Sequence, residues 1–377
     1  MNSQERAFTA LRLEKSDRPP IGFFAIDSDT AEKVLGRETY WRAKAKIRIA
    51  LWEGRRAEVV ESLIADGIEL YKKLDIIDIV STFVANVPPR DYEPENPRKI
   101  DDDLWEDKAG RVYKYSPPTR DIVMIHDPSV WTQDCSVEAL SWDGKIIPPD
   151  QSRFEVIDAL IDALGEDRFI LDGAAPPGPG WLLAGGMERG FMEIATRPQE
   201  IKQIYKSLMD MAITHNELYL RPGQHGVLLG DDYSSTKGPM INPQTFRELF
   251  LAAHAARISD LKRRGYPVVQ HSCGNNWDML DIFADMGIDC YQSIQASAGM
   301  DIAEVQKGYG KKFAVWGGVK TENLVHGSPE DVRSDVRRFM TEVAPNGGCI
   351  LGTTHSVCTG TKYENFMALL DEYSKFI

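Results

Sequence analysis

NPQTFRELFLAAHAARISDLKRRGYPVVQHSCGNNWDML, residues 242–280, reads as a helix, a strand and the start of a second helix. Asn242 is placed to cap the first helix, and Pro243 suits its opening position, where a missing N–H loses nothing. Lys262, Arg263 and Arg264 favour the negative end of the helix dipole, and Gly265 is the stop. The next apolar run, 268–271, is too short for a buried helix and closes on polar residues and a glycine, the pattern of a buried strand.

Working outward, the same unit recurs. Short apolar runs stand at 21–24, 79–84, 169–173, 226–231, 268–271, 290–294, 313–317 and 349–353, and a clear helix follows six of them. Eight such alternations predict an α/β fold, a (β/α)8 TIM barrel. An open dinucleotide-binding sheet would carry GxGxxG after its first strand, and none is there. The chain is expected to form a single barrel domain over residues 1–377, with a cap or insertion after the second strand at about 85–165. Within it, two strand-like pieces around Lys108-Ala109-Gly110 read as a hairpin. GAAPPGPGW at 173–181 reads as a tight loop without the Lys or Arg that a phosphate cradle would bring.

Composition narrows the function classes. Against 57 Asp+Glu stand 44 Lys+Arg, a formal charge of −13, which argues against nucleic-acid or anionic-membrane surfaces. No apolar run approaches the ~18 residues of a membrane span, and the first twenty residues carry charges where a signal peptide needs an apolar core. Five cysteines are too few, and odd in number, for a disulfide scaffold. A cytoplasmic location with reduced thiols is the expectation.

Two of those thiols carry the chemistry. His271 and Cys273 lie two apart at the end of a strand, so both side chains leave the same face, and imidazole with thiolate suits zinc. His355 and Cys358 lie just beyond the last strand, and a closed barrel delivers both strand ends to one mouth. They compete as third ligand; three protein ligands leave a position open for substrate. Cys290 and Cys349 begin their strands, away from that mouth. Asp231 and Asp232 close the fourth strand; adjacent residues face opposite ways, so one of them is expected to reach the pocket for hydrogen bonding or proton transfer.

MNSQERAFTALRLEKSDRPPIGF, GDDYSSTKGPMINPQTFREL, HSCGNN, FAVWGGVKTENLV and THSVCTGTKYENFMALL, in this order along most of the chain, resemble the uroporphyrinogen decarboxylase superfamily, specifically its corrinoid-linked methyltransferase branch. The resemblance implies the barrel fold and zinc held by His271, Cys273 and a ligand after the last strand. Counting back from Glu364-Asn365 puts His355 where those relatives often have Cys, while Cys358 is chemically the commoner ligand. The porphyrinogen decarboxylases carry an Arg-Gln-Ala-Gly-Arg segment near the N-terminus, where this chain has PPIGFFAIDSD without arginine. The implied activity is therefore methyl transfer between a small O-methyl or N-methyl compound and the corrinoid of a partner protein. Transfer from corrinoid to a thiol, and tetrapyrrole decarboxylation, are the alternatives.

Overall fold

The computed structural model describes residues 1–177 and 186–377 of the chain; residues 178–181 of the expected 173–181 loop lie outside the described residues. Seven parallel strands form one curled sheet in the spatial order Ile79–Ser81, Phe169–Asp172, Gly226–Gly230, Val268–Ser272, Cys290–Ser293, Ala314–Val319 and Cys349–Thr353. The first apolar run supplies the closure. Ile21 bridges Leu351 and Gly22 bridges Ile79, both parallel, so the two edges of the sheet meet through this short segment. The fold is a (β/α)8 barrel of TIM type, with the insertion after its second strand.

Closure demands small residues. The Trp316 indole donates to the Gly22 carbonyl at 3.1 Å inside the barrel. A Cβ on Gly22 would lie 2.7 Å from the Cβ of Ile79. Charge holds the same seam from below. Asp78 is fully buried, and its carboxylate accepts from Arg18 at 2.6 and 3.0 Å, from Arg6 at 3.3 Å and from the Ile21 backbone N–H at 3.0 Å. The Asp-Arg-Pro-Pro stretch at 17–20 thus clamps the first strand to the second.

Strand alternation divides two apolar layers. Ile79, Phe169, Leu171, Leu228, Val269, Cys290, Ala314, Trp316 and Ile350 fill the barrel, and Ala7, Ala10 and Leu11 of the helix Ser3–Leu11 pack against them. Val80, Ile170, Val227, Val268, Tyr291, Val315 and Leu351 face the helices instead. Asp172 shares the outward parity of Ile170, so it lies between sheet and helices rather than in the mouth. Burial pushes its carboxyl up to about 6.

Two local expectations differ in detail. The helix after Asn242 does begin with that side chain accepting from Gln244 and Thr245, and Gly265 with φ of 93° ends it. It is not uniform, however: a π-helical turn over Arg247–Leu251 separates Pro243–Phe246 from Ala252–Arg263. The hairpin at 108–110 is present between Leu104–Glu106 and Val112–Ser116, where the Asp107 carboxylate accepts from the Ala109 and Arg111 N–H groups. It is the centre of a four-stranded antiparallel sheet that also takes in Arg98–Asp101 and Asp121–His126. The outer strands escape sequence patterning because they are mostly exposed and so lack an apolar alternation. Helix Glu155–Leu164 buries Val156, Ile157, Leu160 and Ile161 in the main core.

Two stability changes are expected. Asp78→Ala leaves the half-buried Arg6 and Arg18 guanidinium groups short of a partner and should cost about 3 kcal/mol, read by denaturant unfolding. Asp172 is easier to bury neutral than ionised, so wild-type stability falls as pH rises from about 4 towards 6 and is flat above. Asp172→Asn should therefore stabilise by about 3 kcal/mol at pH 8, with the gain vanishing near pH 4.

Candidate metal centre at the barrel mouth

His271 occupies the inward face of Val268–Ser272, two residues beyond Val269, and Cys273 continues the same parity just past the strand. His355 follows Cys349–Thr353 by two residues. Their donor atoms converge. His271 Nε2 lies 3.9 Å from Cys273 Sγ, the two imidazoles meet edge to face with centroids 5.6 Å apart, and one donor from each residue lies within 4.8 Å of the others. Ligands about 2.0–2.3 Å from a tetrahedral zinc stand roughly 3.5 Å from one another, so small rotamer changes close this triangle around an ion.

Cys358 lies outside that group. The chain turns after His355 so that Val357 pairs with the first-strand segment, its N–H donating to Ala25 and its carbonyl accepting from Asp27. That pairing carries Cys358 towards buried Asp27, which accepts from Arg42 at 3.0 Å, Lys44 at 3.4 Å and the Thr359 N–H at 3.2 Å. Burial pushes the Cys358 thiol up, and the Asp27 charge pushes it further.

The two aspartates separate as strand parity requires. Asp232 turns to the mouth, where its Oδ1 accepts from the Cys273 N–H at 2.8 Å and lies 3.1 Å from Cys273 Sγ. Asp231 turns to the helical layer beside Tyr233 and the buried Arg257, and burial raises its carboxyl. Of the pair, only Asp232 touches the convergent donors.

Neighbouring residues hold each donor in place. Gln292 accepts from His271 Nδ1, and Phe24 stacks on the His271 ring with centroids 4.1 Å apart. Gln295 accepts from the Gly274 N–H at 2.8 Å, and Asn276, fully buried, donates to the carbonyls of Ser272 and Cys273. Ser293 and Ile294, with φ of 111° and 44°, sit in strained backbone at the end of the sixth strand, and the Ser293 hydroxyl binds the Thr354 carbonyl next to His355. Phe24 and Asp27 give no signal in the sequence, since a strand-like run and an acidic residue after it do not tell which distant loop they touch. Asn276 reads as a helix start, yet its side chain is the clamp of the Cys273 loop.

Electrostatics keep the three donors neutral. Burial pushes His271 down to about 4, and nearby His355 acts in the same direction while Gln292 opposes it. His355 is lowered by burial against the pull of Asp232 and Asp27. Burial first, then the Asp232 charge, pushes the Cys273 thiol up to about 12. Two imidazoles with free lone pairs and one thiol that a divalent cation would deprotonate form a soft N/S donor set, which fits zinc.

Comparison with known proteins places the chain in a family. The model of the uroporphyrinogen decarboxylase (URO-D) family matches residues 182–376, more than half of the chain, and the chain belongs to that family. A uroporphyrinogen decarboxylase of Ruthia magnifica subsp. Calyptogena magnifica is 21% identical over 235 residues, covering 58% of this chain and 65% of that protein. One from Neisseria meningitidis serogroup C is 24% identical over 250 residues, covering 60% and 66%. The matched region spans just under two thirds of the length of these curated relatives. Among solved structures, a methyltransferase from Methanosarcina mazei superposes with a TM-score of 0.66 at 16% identity, covering 100% of this chain and 99% of the other, a likeness of fold.

The mouth depends on one glycine. Gly274 has φ of 90°, and a Cβ there would lie 2.4 Å from the Ser234 carbonyl oxygen. Gly274→Ala should displace the Cys273 loop from the 234–239 turn, and a crystal structure or the cysteine's alkylation rate will read the shift.

Proposed function

We propose that the protein is a zinc-dependent methyltransferase that moves a methyl group from a small O-methyl or N-methyl compound to the corrinoid of a partner protein. The observation that carries this reading is the convergence of His271, Cys273 and His355 at the C-terminal mouth of a barrel, where such enzymes work. His271 Nε2, Cys273 Sγ and a ring nitrogen of His355 would hold the ion, leaving a position open to substrate. Bound zinc supplies Lewis acidity that polarises the methyl-bearing heteroatom.

The chain's own groups handle the protons. Cys273 must lose its proton to become a ligand, and Asp232 Oδ1, at 3.1 Å, is the acceptor in place. The same carboxyl is positioned to return a proton to the alcohol, phenol or amine that departs as its bond to the methyl carbon breaks. Phe24, stacked on His271, excludes water from one side of the donor set. His271 and His355, neutral by burial, offer lone pairs at neutral pH without first giving up protons.

The second reading, a decarboxylase like the sequence relatives, leaves the convergent N/S donors without a purpose. The two differ in a direct measurement. Protein purified without chelator should carry about one zinc per chain, and less than half an equivalent would count against methyl transfer. Cys273→Ala and His271→Ala should each lower zinc affinity by at least about tenfold, whereas Cys358→Ala should leave it unchanged. Demethylation of a panel of methoxy and methylamine compounds, with a reduced corrinoid protein as acceptor, tests the reaction itself.

A further inference from the structure

Gln292 stands out among the residues around the donor triangle. It lies in Cys290–Ser293, is fully buried, and is the parallel register partner of His271, so the two side chains emerge next to each other on the inner face of the barrel. Its Oε1 meets His271 Nδ1, while its own Nε2 has no hydrogen-bond partner among the described residues. A buried amide that served only packing would be oriented to satisfy its donor. This one makes its only side-chain hydrogen bond among the described residues to the imidazole.

A neutral imidazole carries one proton, and the acceptor beside one nitrogen decides where it sits. With a carbonyl oxygen at Nδ1, the proton is held there and the Nε2 lone pair is directed at Cys273 Sγ, 3.9 Å away. Phe24, with its ring only 21° from parallel to the imidazole, blocks rotation out of that plane. The acceptor is also uncharged. A carboxylate in this place would strongly strengthen the imidazole as a donor and cancel part of an ion's charge; an amide orients it, strengthens it less and cancels no charge. With one thiolate as the only anionic ligand, a bound divalent ion stays Lewis-acidic towards a weak neutral donor, the oxygen of an ether or the nitrogen of an amine.

Resting on the zinc reading above, we propose that Gln292 is a positioning residue: it sets the tautomer and plane of His271 for metal binding, and its neutrality tunes the centre for an uncharged methylated heteroatom. The test uses full-length protein with zinc titrated against a chromophoric chelator, and cobalt(II) as a spectroscopic substitute. Gln292→Met, which keeps the volume and removes the acceptor, should weaken zinc binding about 10- to 100-fold and change the visible cobalt bands. Gln292→Glu should restore or exceed wild-type affinity, with bands shifted by the stronger donor and demethylation of neutral ethers slowed. A folded Gln292→Met protein with wild-type affinity and bands overturns the proposal. Should that variant fail to fold, Gln292→Glu carries the test alone, because cobalt bands unshifted from wild type would equally overturn it. A wild-type chain that takes up no zinc defeats the metal reading instead, a result distinct from either.

Discussion

The closure of the barrel through residues 20–22 is the constraint on which the site depends. A curled seven-stranded sheet has two free edges, and a row of unpaired backbone groups along them would be costly. Ile21 and Gly22 join those edges, and the buried Asp78 carboxylate, gripped by Arg18 and Arg6, holds the joint. Replacing one partner would strand the others' charge out of water, so the cluster acts as a unit. The residues just past the joint lead directly to the site. Phe24 reaches the face of His271, the 25–27 segment pairs with Val357, and Asp27 gathers Arg42, Lys44 and Thr359. The seam at the bottom of the first strand and the donor triangle at its top belong to one short stretch of chain.

From that geometry the division of labour around the mouth becomes intelligible. The donors come from the fifth and eighth strands, Asp232 from the fourth, Gln292 from the sixth and Phe24 from beyond the first. No single helix or loop could present them, because each strand contributes one inward side chain per level. The barrel turns that restriction into convergence. Burial does the rest: it holds both imidazoles and the thiol neutral, a state ready for a cation and poorly suited to an anion. The clamp by Asn276 and the strained backbone at Ser293 and Ile294 lie next to this level, where departures from regular geometry are most useful.

Much of this is legible in the sequence, for identifiable reasons. The eight apolar runs mark the barrel strands because strands buried on both faces read as short continuous hydrophobic stretches. His271 and Cys273 share a face by the two-residue period alone, and the same period separates Asp231 from Asp232 without saying which of them turns inward. The competition between His355 and Cys358 has no local answer. Both follow the last strand at short range, and only the pairing of Val357 with Ala25 and Asp27, more than three hundred positions away in the chain, turns one towards His271 and the other away. The four-stranded sheet of the insertion is half visible, since its central hairpin carries a turn signature and its outer strands are too exposed to carry a pattern.

Local sequence is thus enough to mark the barrel strands, the pairs that share a face, and the nitrogen and sulfur atoms near strand ends, because these properties arise from period and local backbone preference. The chain's charge of −13 likewise argues against a basic nucleic-acid surface. Tertiary structure alone decided which of those atoms meet: His355 rather than Cys358 beside His271, Asp232 rather than Asp231 against Cys273, Gln292 at the far nitrogen of the imidazole. Such contacts join residues tens to hundreds of positions apart, and their distances are set by how the strands are staggered when the sheet closes, a quantity that no stretch of local sequence encodes.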